Sequence, residues 1–226
     1  DGDVIAIDGT IRATNLGSGD YVDNGEIVID NNLTVKKADG ATSAVLNANG
    51  TAGGKPAHRI FKVASGKTLT LKNLTLKGGR VEAFGEPGGG AIDAEGTLTM
   101  TDCTVTDNRT EYGNGGGIYA AGALTMTSCT VSNNTVNDAD SLGGGGIYAA
   151  GTLTMQDCTI SGNYAKKDGG GIYAVGELSL TDCTVTANES QNNGSGSGSG
   201  GGIYIKGRCT MTGGSVTGNK ANSNGN

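Results

Sequence analysis

The stretch GGGIYAAGALTMTSCTVSNN, residues 115–134, decides the fold, because it recurs along the chain without a gap. The other copies are GGAIDAEGTLTMTDCTVTDN (89–108), GGGIYAAGTLTMQDCTISGN (144–163), GGGIYAVGELSLTDCTVTAN (169–188) and GGGIYIKGRCTMTGGSVTGN (200–219). The isoleucine after each glycine run (Ile92, Ile118, Ile147, Ile172, Ile203) stands 16 residues before a closing asparagine (Asn108, Asn134, Asn163, Asn188, Asn219). From that asparagine to the next isoleucine the count varies: 10, 13, 9 and 15 residues. A rigid frame alternating with a variable loop marks a stacked repeat.

Inside the frame the apolar period is two, which specifies strand. Ile118 and Ala120 alternate with Tyr119, Leu124 and Met126 with Thr125, and Val131 with its flanking Thr130 and Ser132. The phase breaks at Ala121-Gly122 and again at Thr127-Ser128, so the chain bends there to keep Met126 and Cys129 on one side. Three short strands and a loop make one triangular coil. The β-branched residues and glycines argue against helix. Further back, Leu69, Leu71, Leu74 and Leu76 occupy the Leu, Met, Cys and Val positions. Ile27, Ile29, Leu33 and Val35 match the coil before, and Val4, Ile5 and Ile7 the first. The expected fold is all-β: a right-handed, single-stranded parallel β-helix of about eight coils, some 35–40 Å long at about 4.8 Å per coil. It forms one domain over 1–226, with less regular coils in 1–87 and five regular ones in 88–226. Another repeat would begin just past Asn219, so a piece of a longer protein is expected, with neighbouring repeats at both ends.

Composition agrees. The chain has 43 glycines among 226 residues, no tryptophan and 4% aromatic residues, with a formal charge of −6. No apolar run approaches the roughly 20 residues of a membrane helix, so direct membrane insertion is not expected. Scattered Lys and Arg on an acidic chain argue against nucleic acid.

Gly89-Gly90-Ala91-Ile92 resembles the GGA[ILV] element of chlamydial polymorphic outer-membrane proteins, and later copies read GGGI. Their FxxN element has its counterpart in Val131–Asn134 and Ile160–Asn163, with Val or Ile in place of Phe. The sequence is similar to the wider group of bacterial β-helix surface repeats, autotransporter passengers and wall-linked adhesins among them. That resemblance implies an extracellular location at the bacterial surface and an adhesive or stalk role. It supplies no ligand.

Stacking turns each repeated position into a ladder. Asn108, Asn134, Asn163, Asn188 and Asn219 read as structural, since Asn tolerates left-handed backbone angles and can hydrogen-bond the next coil. Cys103, Cys129, Cys158 and Cys183 form an inward ladder of free thiols, because in-register Cβ atoms sit about 4.8 Å apart and a disulfide wants about 3.8 Å. No Cys-x-x-Cys spacing or His partner suggests a metal. Tyr119, Tyr148, Tyr173 and Tyr204 form an outward stripe, either stacked ring on ring or offered to a sugar or a protein partner. Thr pairs such as Thr99/Thr101 and Thr125/Thr127 resemble an ice-ordering array, interrupted by Gln156 and by serines. Asp102, Asp157 and Asp182 line a bend that Ser128 and Gly213 break, and they read as a solvated acidic edge.

Catalysis on such a scaffold needs paired carboxylates or a carboxylate-held metal beside a base. His58, Arg59 and Arg80 are expected to be isolated, and no cofactor motif is present. The expected function is therefore non-catalytic: an adhesin or stalk binding a host-surface protein or glycan through its loops and tyrosines. The competitor is a carbohydrate-active β-helix, lyase or hydrolase in kind, and behind it an ice-binding solenoid. The loops expected to carry variable function are 17–23, 51–59, 81–87, 107–114, 133–142, 164–168 and 194–200.

Overall fold

The computed structural model describes residues 3–12, 25–48, 58–82, 84–192 and 198–223. The loops 17–23, 51–57 and 194–197 lie outside the described residues. The chain winds as a right-handed parallel β-helix whose strands form four sheets running along one axis. A typical coil holds Ile118–Ala120, Leu124–Thr127, Thr130–Ser132 and Thr135–Val136. We name the four faces the tyrosine, methionine, valine and fourth sheets. The methionine sheet has eight strands, from Asp3–Ile7 to Cys209–Thr212, which makes seven full turns from first to last.

The register is that of the constant frame. Ile92, Ile118, Ile147, Ile172 and Ile203 stand in one column, with Phe61 and Ile27 continuing it backward. Leu69, Leu98, Leu124, Leu153 and Leu178 form a second. From Phe61 to Ile172 and from Leu69 to Leu178 these side chains are almost wholly buried, while at the ends Ile203 is partly buried and Ile27 is exposed. Each fully buried Leu, Ile or Met contributes roughly 1.5–3 kcal/mol, so every coil is held mainly by the coils above and below it.

The fourth sheet is the departure from the expected three strands per coil. It contains six strands, from Arg80–Val81 to Lys220–Ser223, each beginning just after the ladder asparagine or its equivalent. In most coils it is only two residues long, as at Thr135–Val136 and Tyr164–Ala165. One buried residue (Val136, Ala165) is too little alternation to separate strand from loop by pattern.

The bends have separate causes. Between the tyrosine and methionine sheets the backbones of successive coils approach closely: a Cβ on Gly122 would sit 2.2 Å from the Gly96 carbonyl oxygen. At the methionine–valine bend, Asn73, Asp102, Ser128, Asp157, Asp182 and Gly213 all have φ between 50° and 67°. The acidic edge is thus a line of left-handed positions, which Asp, Asn, Ser and Gly fill in turn. At the next bend the left-handed residue is not the ladder asparagine, as expected, but the one before it: Asp107, Asn133, Gly162, Ala187 and Gly218.

That displacement leaves the asparagine side chain free to point inward and bind along the axis. Asn108, Asn134, Asn163 and Asn188 each donate from Nδ2 to the Oδ1 of the next asparagine at 2.9–3.0 Å. The same Oδ1 accepts the preceding asparagine's backbone N–H at 3.0–3.1 Å. Nδ2 also donates to the carbonyl of Leu76, Val105, Val131, Ile160 or Val185 on the previous coil. The five cysteines are free thiols, and Cys103, Cys129, Cys158 and Cys183 each donate from Sγ at 3.2 Å to the carbonyl two residues back. Cys129 and Cys158 are pushed up to about 11, first by the hydrogen bond shared with the preceding thiol.

Replacing Asn163 by Ala takes the acceptor from the Asn134 backbone N–H and a donor from the Val131 carbonyl, while Asn134 Nδ2 keeps the Val105 and Ser132 carbonyls. At about 1–3 kcal/mol per orphaned group, the variant should lose about 2 kcal/mol or more in urea unfolding; a loss under about 1 kcal/mol would show the ladder to be incidental. Thiol titration of the native protein should modify the exposed Cys209 at once, and the other four cysteines only on unfolding.

Candidate functional site

The outward column of the tyrosine sheet runs Val28, Lys62, Asp93, Tyr119, Tyr148, Tyr173, Tyr204. The four tyrosine rings stack with centroids 5.2, 5.1 and 4.8 Å apart and interplanar angles of 3°, 16° and 26°. This stripe was expected to be exposed, and its centre is not: Tyr148 and Tyr173 are 7% and 1% exposed, while Tyr119 and Tyr204 are half-buried. Stacking covers both faces of each inner ring and contributes about 0.5–1.5 kcal/mol per pair. Lys206 stands 5.6 Å from the Tyr173 ring centre, and its ammonium is held above its ordinary range, first by a hydrogen bond to Tyr173.

Asp93 stands next to the tyrosines in the column, one coil before Tyr119. Its side chain is fully buried, with Arg59 Nη1 at 3.5 Å from Oδ2, and neither carboxylate oxygen has a hydrogen bond. Burial pushes its pKa up to about 6, against the pull of Arg59 and Lys62. Arg59 is itself buried and pairs with Glu26 at 3.1 Å and Glu86 at 3.0 Å. His58 Nδ1 donates to the Arg59 carbonyl at 2.8 Å. The expectation that Arg59 and Arg80 are isolated is therefore wrong. Each finds partners on other coils that lie 27 to 34 residues away in sequence.

The fourth sheet presents a second polar face. One outward column runs Arg80, Arg109, Thr135, Tyr164, Glu189, Lys220. Glu111 accepts from Arg80 at 3.0 Å, from Arg109 at 2.6 and 2.9 Å, and from Asn137 at 2.7 Å. Its carboxyl stays below the ordinary range because these donors outweigh the desolvation that would raise it. Arg80 also pairs with Glu82 at 2.6 Å. At the N-terminal end of this face Phe84 is 90% exposed, its ring edge-on to Tyr112 of the next coil at 5.6 Å and 75°. Tyr112 is 42% exposed.

The methionine sheet carries one nearly pure hydroxyl column, Thr34, Thr70, Thr99, Thr125, Thr154, Ser179, Thr210. The parallel column reads Lys36, Lys72, Thr101, Thr127, Gln156, Thr181, Thr212. A regular hydroxyl array in two dimensions is not present there.

The sequence did not single out Asp93, Glu111, Phe84 or Tyr112. Asp93 was visible in principle, as the one residue other than tyrosine at that position in the five regular copies. Arg109, Glu111 and Asn137 sit one and three positions after the closing asparagine, where a fourth strand prolonged by one residue would place them.

An axial stack of parallel strands in four sheets, with an apolar interior and amide and thiol ladders, defines a β-solenoid of right-handed type. The chain belongs to the family described as the right-handed beta helix region, which it matches over residues 2–188 and again over 60–226. No curated protein and no solved structure matches it. Among the described residues no helix is long and apolar enough to cross a membrane.

Because the Asp93 pKa is raised in the folded chain, this group's share of stability is full below its ordinary value of 3.8 and is lost as pH rises through about 6. Glu111 works in the opposite sense, its share fading in acid. The stability of the native protein relative to Asp93→Asn should thus fall by roughly 2–3 kcal/mol between about pH 4 and pH 6.5. A parallel pair of stability–pH curves would refute the assignment.

Proposed function

We propose that this chain is a non-catalytic length of bacterial surface β-helix, an adhesin or stalk segment that holds binding loops at a fixed spacing outside the cell. One observation carries the reading. Among the five regular repeats all variation in length falls at a single corner, between the fourth sheet and the tyrosine sheet, while the other connections stay constant. A rod that keeps three sides uniform and varies one edge is built for display, since loops tolerate change where the stacked frame does not. The partner is a host-surface protein or a glycan.

The likeness of GGA[ILV] and [VI]xxN to surface-repeat motifs supports the extracellular placement. Burial of Tyr148 and Tyr173 moves the contact from the stripe to the loop corner, with Tyr119 and Tyr204 at its margins. A lyase or hydrolase reading finds less support. Among the described residues the one carboxyl with a raised pKa, Asp93, is sealed beneath Arg59, out of reach of a polysaccharide.

The test combines location with binding. Antibody raised against the fragment should label intact cells of the source bacterium, and beads coated with the fragment should adhere to host cells or mucus. Absence of surface label, or release of oligosaccharides from a polysaccharide panel, would replace this reading with the enzymatic one.

A further inference from the structure

We infer that Phe84 and Tyr112, with Arg109, Glu111 and Asn137 beside them, form a binding site for a neutral saccharide. The inference rests on the adhesive reading and names its ligand class.

The first argument is the exposure of Phe84. The chain has only two phenylalanines; Phe61 is buried in the core, and Phe84 is 90% exposed. Leaving a whole phenyl ring in water forgoes the roughly 1.5–3 kcal/mol that burial would give. The backbone that carries the ring is nonetheless anchored on both sides. Glu86, two residues on, is clamped by buried Arg59 at 3.0 Å. Gly88 bridges to Asn114, whose N–H donates to the Pro87 carbonyl at 2.9 Å. On the other side, Thr110 Oγ1 donates to the Tyr112 carbonyl, and the Gly113 N–H to Asp138 Oδ2 at 3.3 Å. Two loops from successive coils are thus fastened so that an aromatic pair stands clear of the surface. Such preorganisation lowers the ordering cost of binding.

The second argument is what surrounds the pair. Tyr112 directly follows Glu111, the acceptor shared by Arg80, Arg109 and Asn137. Phe84 lies two residues from Glu82, which pairs with Arg80. An apolar ring flanked by fixed donors and acceptors matches a pyranose, whose C–H face rests on an aromatic while its hydroxyls replace water on Arg, Glu and Asn. The charges select a neutral sugar. Arg80 and Arg109 are already matched by Glu82 and Glu111, so an acidic glycan finds neither arginine of the site uncompensated, on a chain whose formal charge is −6. Two rings ringed by ion pairs are also too small an apolar centre for a protein interface of about 800 Å² per partner.

The experiment uses the 226-residue chain on a printed panel of neutral, sialylated and sulfated oligosaccharides, followed by titration calorimetry on the best neutral binder. Phe84→Ala should weaken binding at least ten-fold and Asn137→Ala several-fold. Phe84→Ala should leave the melting temperature unchanged, because so exposed a ring contributes little to packing. Preference for acidic glycans, undiminished binding by Phe84→Ala, or no binding at all would each overturn the site. Loss on Phe84→Ala of binding to a protein, with no sugar bound, would overturn the ligand class. If host-cell adhesion persists in Phe84→Ala, the site fails and the adhesive reading stands. If the parent binds a neutral glycan but adheres to no host surface, the site stands and the adhesive reading fails.

Discussion

Every feature of this molecule follows from the requirement that successive coils stack in register, with their backbone hydrogen bonds along the axis. Parallel strands about 4.8 Å apart place identical side chains directly over one another, so a residue is tested mainly against copies of itself. Apolar columns such as Ile92 to Ile203 pass that test by packing. Polar residues pass it only if they can donate upward and accept downward at the same spacing. Asparagine does so, which is why Asn108 to Asn188 can be buried in a line inside a core that is mainly hydrocarbon and thiol. A carboxylate cannot, since stacked copies would repel. Asp93 accordingly occurs once, with an arginine drawn over it.

The same requirement explains the bends. A coil turns three or four corners in a few residues, and the corners also stack. Where two backbones nearly touch, only glycine fits, as at Gly122 and Gly151. Where the chain turns through left-handed angles, any residue that tolerates them will serve. The column therefore mixes Asn, Asp, Ser and Gly at the first such bend, and Asp, Asn, Gly and Ala at the second. Identity is constrained where atoms meet across coils, and conformation alone where they do not.

The repeat made the architecture legible because its signal is summed over five copies. Handedness of the alternation, inward cysteines and the isoleucine column could all be read from the constant 16-residue frame. The fourth sheet escaped because its strands hold one buried residue each, and a single Val136 or Ala165 carries no period. The tyrosines were placed on the correct face but judged exposed, because alternation says which way a side chain points and not what lies over it. The Arg59 and Arg80 clusters escaped for a further reason: each forms between coils whose loops do not align, so no repeated spacing announces it.

That last failure points to where specificity would reside on such a rod, if it binds as proposed. Residues that repeat are answering to the stack, whether they are Asn, Cys, Thr or the tyrosines whose rings close on one another. A binding surface made only of repeated residues would present the same face at every coil and would distinguish ligands by length alone. Discrimination needs side chains that occur once, and these cluster at the irregular N-terminal coils and the variable corner: Arg59, Glu86, Asp93, Phe84, Tyr112 and Glu111. The ion pairs there are the links that let unrepeated loops be held as firmly as repeated strands, since Arg59 ties Glu26, Glu86 and Asp93 across three coils. Regular coils set the spacing, and the breaks in their regularity carry the chemistry.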